Sequence, residues 1–404
     1  MINKMNKNII FDLCSKTIWI FVYLSVLFTS CGGSNIPITN NNDTDDGKKN
    51  VIEDYTLNSE NIARIEGNSI QIDPVVLYSQ NISPEELVSD LKKANITSVH
   101  LVIVKKWDGS KDDSLFKPEY MKALQDNRIA IWLMLPGNCM YDQLPKEWEM
   151  EFIKPYADPS LRFYSFHHDG YVKWQEERVS RIFRNYDFVG IGFAESYFPE
   201  WYTIDTNGHY GDVSLFARKK FTREYLGLDR NALSFDAIHN NQEWYYKWQD
   251  FRVEAILNFN QKMKNAVREA SPEAVFAAWG IAVGGGSLAE IREYYGLDMP
   301  KIAEEVQPDV FFIQTSYQDW GDPSLPPNYL NGYEYARKAI QEVNPKVKLA
   351  VQADIASLSY QNPGVGVRLP GWWLEFMSHA TQLGYYTNTS YEYAFCKKQG
   401  LWLE

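Results

Sequence analysis

Acidic, amide and aromatic side chains recur at one place in the pattern of this sequence, directly after short runs of β-branched and aromatic residues. The run 99–104 leads into Lys105-Lys106-Trp107-Asp108, and the run 188–193 into Ala194-Glu195-Ser196-Tyr197. Later runs end at Trp279 and Gly280, at Gln314 before Tyr317, Asp319 and Trp320, at Gln352 before Asp354, and at Asn388 before Glu392. Glu195 is the foremost candidate, because a charge that closes an apolar run and is followed by aromatics is hard to explain as packing. Its structural alternative is an ion pair with Lys105 or Lys106. For a second carboxylate the order of preference is Asp354, then Glu392, then Asp319. Two carboxyl groups at one site can donate a proton on one side of a bond and attack or activate water on the other. Trp107, Tyr197, Trp201, Trp279, Gln314, Tyr317, Trp320, Gln352 and Asn388 supply rings and amides around them. Aromatic faces pack on the C–H faces of sugar rings while carboxylates and amides bond hydroxyls, so the set predicts a carbohydrate ligand.

These residues meet only if the runs that carry them are parallel strands of one sheet. Eight such runs occur, at 70–77, 99–104, 130–135, 188–193, 275–279, 310–314, 347–352 and 384–389, and they alternate with segments of helical periodicity. Ser83-Pro84-Glu85-Glu86 opens one helix with a cap, a first-turn proline and two acids at the positive end of the dipole. Residues 171–184 form another, charged on one face. After the fourth run comes the longest excursion, with helices predicted at 214–226 and 243–270. The pattern predicts an α/β fold, a (β/α)8 TIM barrel over residues 51–404 with an insertion after strand 4. A doubly wound open sheet normally carries a glycine fingerprint after its first strand, and none follows residues 70–77. In the barrel, active sites lie at the carboxyl ends of the strands, where the candidates above fall.

The run 188–197, the long insertion, and Trp248-Gln249-Asp250-Phe251-Arg252 opening a helix that ends near Ser271-Pro272 resemble the bacterial TIM-barrel β-galactosidases and their glycosidase-like relatives. The resemblance covers about residues 69–393. It implies a two-carboxylate glycoside hydrolase with Glu195 as general acid/base, a carboxyl whose raised pKa lets it protonate the leaving oxygen. Two positions depart from the pattern of that clan: Ala194 stands where Asn usually precedes the acid/base, and Gln352-Ala353-Asp354 where a nucleophilic Glu follows strand 7. A barrel that binds glycans without cutting them is the alternative these departures support.

The first fifty residues read as export and tether. Lys4, Lys7 and Lys16 precede an apolar run at 17–28, too short for a span of ~20 residues, and Thr29-Ser30-Cys31-Gly32 closes it. Small residues before a Cys resemble the lipobox of bacterial lipoproteins. The expectation is a signal peptide at 1–30, lipidation of Cys31, a flexible tether at 31–50 and a lipid-anchored, exported protein. Removing residues 1–30 takes three Lys and one Asp and moves the formal charge from −12 to −14, which argues against nucleic-acid partners. Cys139 and Cys396 allow at most one disulfide in the mature domain. No cofactor or metal is predicted. Gly284-Gly285-Gly286 lacks the Lys-Ser/Thr of a phosphate loop, and His167-His168-Asp169 reads as a loop or helix cap.

Overall fold

The computed structural model describes residues 59–154, 160–199, 209–355 and 368–400. The predicted signal and tether, Cys31 and Trp201 lie outside them. Eight parallel strands close into a barrel: β1 (Gly67–Ile72), β2 (Ile96–Val102), β3 (Ala130–Pro136), β6 (Gly190–Ala194), β7 (Val275–Ile281), β8 (Val310–Gln314), β9 (Lys348–Asp354) and β10 (Thr387–Tyr391). Neighbours follow chain order around the ring, and β10 pairs with β1 to close it. The two remaining strands, β4 (Cys139–Met140) and β5 (Arg162–Phe163), form an antiparallel pair in the loop after β3.

Strand alternation decides which side chains reach the site. On β3, Ile131, Leu133 and Leu135 pack outward under the helices, whereas Ala130, Trp132 and Met134 fill the barrel. The same parity on β1 sends Ile70 and Ile72 outward, so Gln71 faces in. On β6 the alternation is Gly190 and Gly192 inside, Ile191 and Phe193 outside. A Cβ on Gly192 would sit 2.3 Å from Trp279 Nε1, so this glycine makes room for the indole that fills the barrel. Trp279 stacks on Phe312 with centroids 4.2 Å apart, and His100 stacks on Trp132 at 5.2 Å.

The first strand departs from expectation. It ends at Ile72, and residues 74–79 are helical instead of continuing the strand. The cause is local: the Asp73 carboxylate accepts from the Val75 and Val76 amides, and Pro74 supplies the preset first-turn φ. Conversely β7, β9 and β10 each run two residues past their predicted ends, since the backbone ladder continues to Ile281, Asp354 and Tyr391. Ser83 caps the helix Pro84–Lys93, and residues 242–270 form one 29-residue helix. Residues 214–226 divide: Ser214 caps an α-helix at Leu215–Lys220 that widens into a π turn at Phe221–Tyr225. Cys139 and Cys396 are both buried free thiols, so the allowed disulfide is absent.

Candidate active site

Glu195 follows the last residue of β6, and strict alternation would turn it outward. Its backbone instead adopts φ +55°, a left-handed conformation that a non-glycine residue enters at a cost of ~1–3 kcal/mol. The strand breaks there, and the carboxylate meets the inward-facing Gln314 of β8 and the Cys139 thiol of β4, whose Sγ lies 3.5 Å from Oε2. Burial raises the Glu195 pKa above the ordinary glutamate value, outweighing the opposing hydrogen bonds from Cys139 and Gln314. No lysine or arginine forms an ion pair with it among the described residues. Lys105 and Lys106 are both exposed, and the Lys105 charge acts on Asp73 instead.

Asp354 closes β9, 2% exposed, with the parity of the inward-facing Ala350. Tyr391 lies opposite it in register on β10. Glu392, one residue further, lies past the end of the strand and is fully buried. Its Oε1 accepts from the Asp73 amide at 3.1 Å, and its Oε2 from the Phe395 amide at 3.0 Å, capping the helix Tyr393–Lys398. Both oxygens are thus engaged by backbone, and the geometry of Glu392 is that of a structural cap. Asp319 accepts from the Tyr333 hydroxyl beyond β8. Asp73 is not among the expected site residues, although Asp-Pro at the end of an apolar run is a readable cap signal. It stands at the mouth end of β1 with Oδ1 committed to the cap, and burial raises its pKa.

The expected binding residues divide. Gln314 and Gln352 pair in register, are 4% and 5% exposed, and each leaves Oε1 without a hydrogen-bond partner among the described residues. They form an amide floor beneath Glu195 and Asp354. Trp320 is partly exposed beside them and donates from Nε1 to Thr315 Oγ1. Four others are placed differently. Trp279 lies inside the barrel and not at its rim, because β7 is longer than expected. Trp107 packs between Phe116 and Tyr186 in the outer layer, with Nε1 donating to Ser110. Tyr197 is buried against Tyr295. Asn388 has outward parity and donates to Asn68 Oδ1 at the β10–β1 seam. Tyr317 is 6% exposed in the short helix Tyr317–Trp320. His168 is a helix cap as expected, accepting from the Gly170 amide, and His167 stacks on Phe251.

The buried acids set a stability optimum. Burial and the Asp73 charge push the Glu392 pKa up to about 8, so between its unfolded value of 4.5 and 8 the unfolded chain gains from ionisation and the native state does not. His100 acts in the opposite sense at lower pH, its pKa held down to about 3 by burial, so stability rises as the pH climbs through the unfolded histidine range. Above about pH 6.5 only the acid effect persists, and urea denaturation is expected to show a loss of ~2 kcal/mol between pH 6.5 and 8. A flat or rising profile over that window would contradict a neutral Glu392.

No protein-family model matches the chain, and a comparison with curated protein sequences finds no match. Solved structures do match. The glycoside hydrolase domain of PgaB (BpsB) from Bordetella bronchiseptica superposes with a TM-score of 0.59 at 16% identity, over 83% of this chain and 96% of that domain. The β-galactosidase of the haloarchaeon Halorubrum lacusprofundi gives 0.56 at 14% identity, and that of the psychrophilic Marinomonas ef1 0.55 at 12%. Each comparison covers 81% of this chain but only 52% and 54% of those enzymes, so the chain spans about half their length. The fold of this chain is therefore that of the TIM-barrel glycoside hydrolases.

Proposed function

We propose that the chain is a glycoside hydrolase, with Glu195 as general acid/base and Asp354 as the second carboxylate. The observation that carries this reading is the Glu195 turn: a carboxyl held in left-handed backbone at the catalytic end of the barrel, its pKa raised, with only neutral donors on it. Protonated Glu195 gives its proton to the glycosidic oxygen as the bond to the anomeric carbon breaks. Asp354 then either bonds that carbon or takes a proton from an attacking water, the two cases requiring carboxyl separations of ~5 Å and ~6.5–9.5 Å. Gln314 and Gln352 offer unpartnered acceptor oxygens to sugar hydroxyls. The lipobox-like Cys31 and acidic tether place the enzyme, in this proposal, on the outside of a bacterial membrane.

A glycan-binding barrel without turnover is the second reading, favoured by Ala194 in the position where the resembling enzymes carry Asn. Both readings predict that the purified mature domain binds oligosaccharides. Assay against a panel of aryl glycosides and oligosaccharides separates them: release of sugar is the expected result, and saturable binding with no release across the panel would overturn the hydrolase.

A further inference from the structure

The turn that carries Glu195 is gripped by three consecutive residues of a different loop. Where β3 ends, the Gly137 amide donates to the Ala194 carbonyl at 2.6 Å, and the Asn138 side-chain amide donates to the Tyr197 carbonyl at 2.6 Å. The next residue, Cys139, directs its thiol to Glu195 Oε2. The contacts thus fall on the residue before Glu195, on its own carboxylate, and two residues after it. Approach is as close as a side-chain-free residue permits: a Cβ at Gly137 would lie 2.7 Å from Ser196 Cα.

The gripping segment is itself fixed from both sides. Behind it, the Tyr171 hydroxyl donates to the Gly137 carbonyl at 2.6 Å, Gln175 donates to that hydroxyl, and Arg178 donates to Gln175, all buried on the helix Asp169–Asn185. Arg178 also reaches the Lys105 carbonyl, so one buried relay ties the exits of β2 and β3 together. In front, Cys139 pairs with Phe163 in the β4–β5 ribbon, and the Asn138 carbonyl accepts from the Tyr164 amide at 2.7 Å. A left-handed glutamate persists only where its surroundings over-determine it, and these contacts supply that determination.

We infer that Asn138 and Cys139 are positioning residues that hold the Glu195 carboxyl in its working orientation at the barrel mouth. The inference rests on the role proposed for Glu195. Cys139 and Gln314 are the groups acting on that carboxyl, and no charged side chain is among them. Removing the thiol donor therefore takes away a bond that favours the ionised form and moves the carboxyl pKa further up.

The test uses the folded mature domain with Cys139→Ala, Cys139→Ser and Asn138→Ala, and circular dichroism to verify folding. Two readouts are taken. With the aryl glycoside that the wild type hydrolyses, Cys139→Ala and Asn138→Ala are expected to lower kcat by ~10–100-fold with KM changed less than ~2-fold, the scale of loss for a misplaced catalytic group. The basic limb of the Cys139→Ala rate profile should move to higher pH, and Cys139→Ser, which keeps a donor, should recover most of the rate. Independently of turnover, carbon NMR of protein labelled at the glutamate carboxyls, with Glu195→Gln to assign the resonance, should show the Glu195 titration moving up by ~0.5–1 pH unit in Cys139→Ala. An unchanged titration in that variant overturns the inference, whether or not kcat falls. A moved titration in a wild-type background that hydrolyses nothing leaves the positioning role intact and sinks the proposed hydrolase.

Discussion

Replacing Glu195 with glutamine is expected to lower kcat/KM on unactivated oligosaccharides by ~10³-fold, within the range for loss of a general acid. Glutamine keeps the length of the side chain and an oxygen that can still accept from Cys139, so the change removes the transferable proton and little else. The loss should depend on the leaving group. A nitrophenolate departs without help, so activated aryl glycosides should be affected far less in the bond-breaking step than a sugar alcohol, which must be protonated as it leaves. The pH dependence follows from the direction of the pKa shift. Burial keeps Glu195 protonated above the usual carboxylate range, so the wild-type rate should fall on the basic side as that proton is lost, and the variant should lack this limb. Rates measured for a matched pair of activated and unactivated substrates decide the matter. Equal turnover by variant and wild type on the unactivated substrate would remove Glu195 from the mechanism.

The residues that make this prediction were unevenly legible in the sequence. The barrel could be read because its strands are buried on both faces, which leaves continuous apolar runs such as 310–314 that end where observed. Strand ends were less visible where the ladder continues through polar side chains. Backbone pairing does not depend on side-chain polarity, so Asp354, Ser390 and Tyr391 belong to strands although they lie past the predicted ends. β7 likewise continues through Gly280 and Ile281, which puts Trp279 in the barrel interior instead of at the rim. At β1 the error ran the other way: Val75, Val76 and Leu77 have strand character, but the Asp73-Pro74 cap overrides it. Glu195 was found by its position, yet alternation alone points it outward, and only the left-handed turn returns it to the mouth. The grip of Asn138 and Cys139 on that turn joins residues more than fifty positions apart, and no local pattern announces it.

Position and hydrogen bonding separate the two candidates for the second carboxylate, and with them the second large effect. Asp354 shares the inward face of β9 with Ala350 and Gln352, whereas Glu392 lies past the end of β10 as the cap of the helix Tyr393–Lys398. The Glu392 oxygens are already occupied by the Asp73 and Phe395 amides, so freeing one for catalysis would break the cap and leave a buried donor unpaired. Asp354→Asn is therefore expected to lower kcat/KM by ~10²–10⁴-fold, comparable to the loss at Glu195. The product configuration of the wild type, read by proton NMR within the first turnovers, then assigns the role. If the released sugar keeps its anomeric configuration, Asp354 bonds the anomeric carbon. Azide should then restore turnover of an activated substrate in Asp354→Asn, giving a glycosyl azide of opposite configuration to the substrate. If the wild type inverts, Asp354 activates water, and Asp354→Asn with added azide forms the same inverted azide without any covalent intermediate in the wild type. Near-normal turnover in a folded Asp354→Asn would exclude it from either role. The second carboxyl would then have to come from another acid beyond the strand ends, Asp319 after β8 or Asp73 after β1.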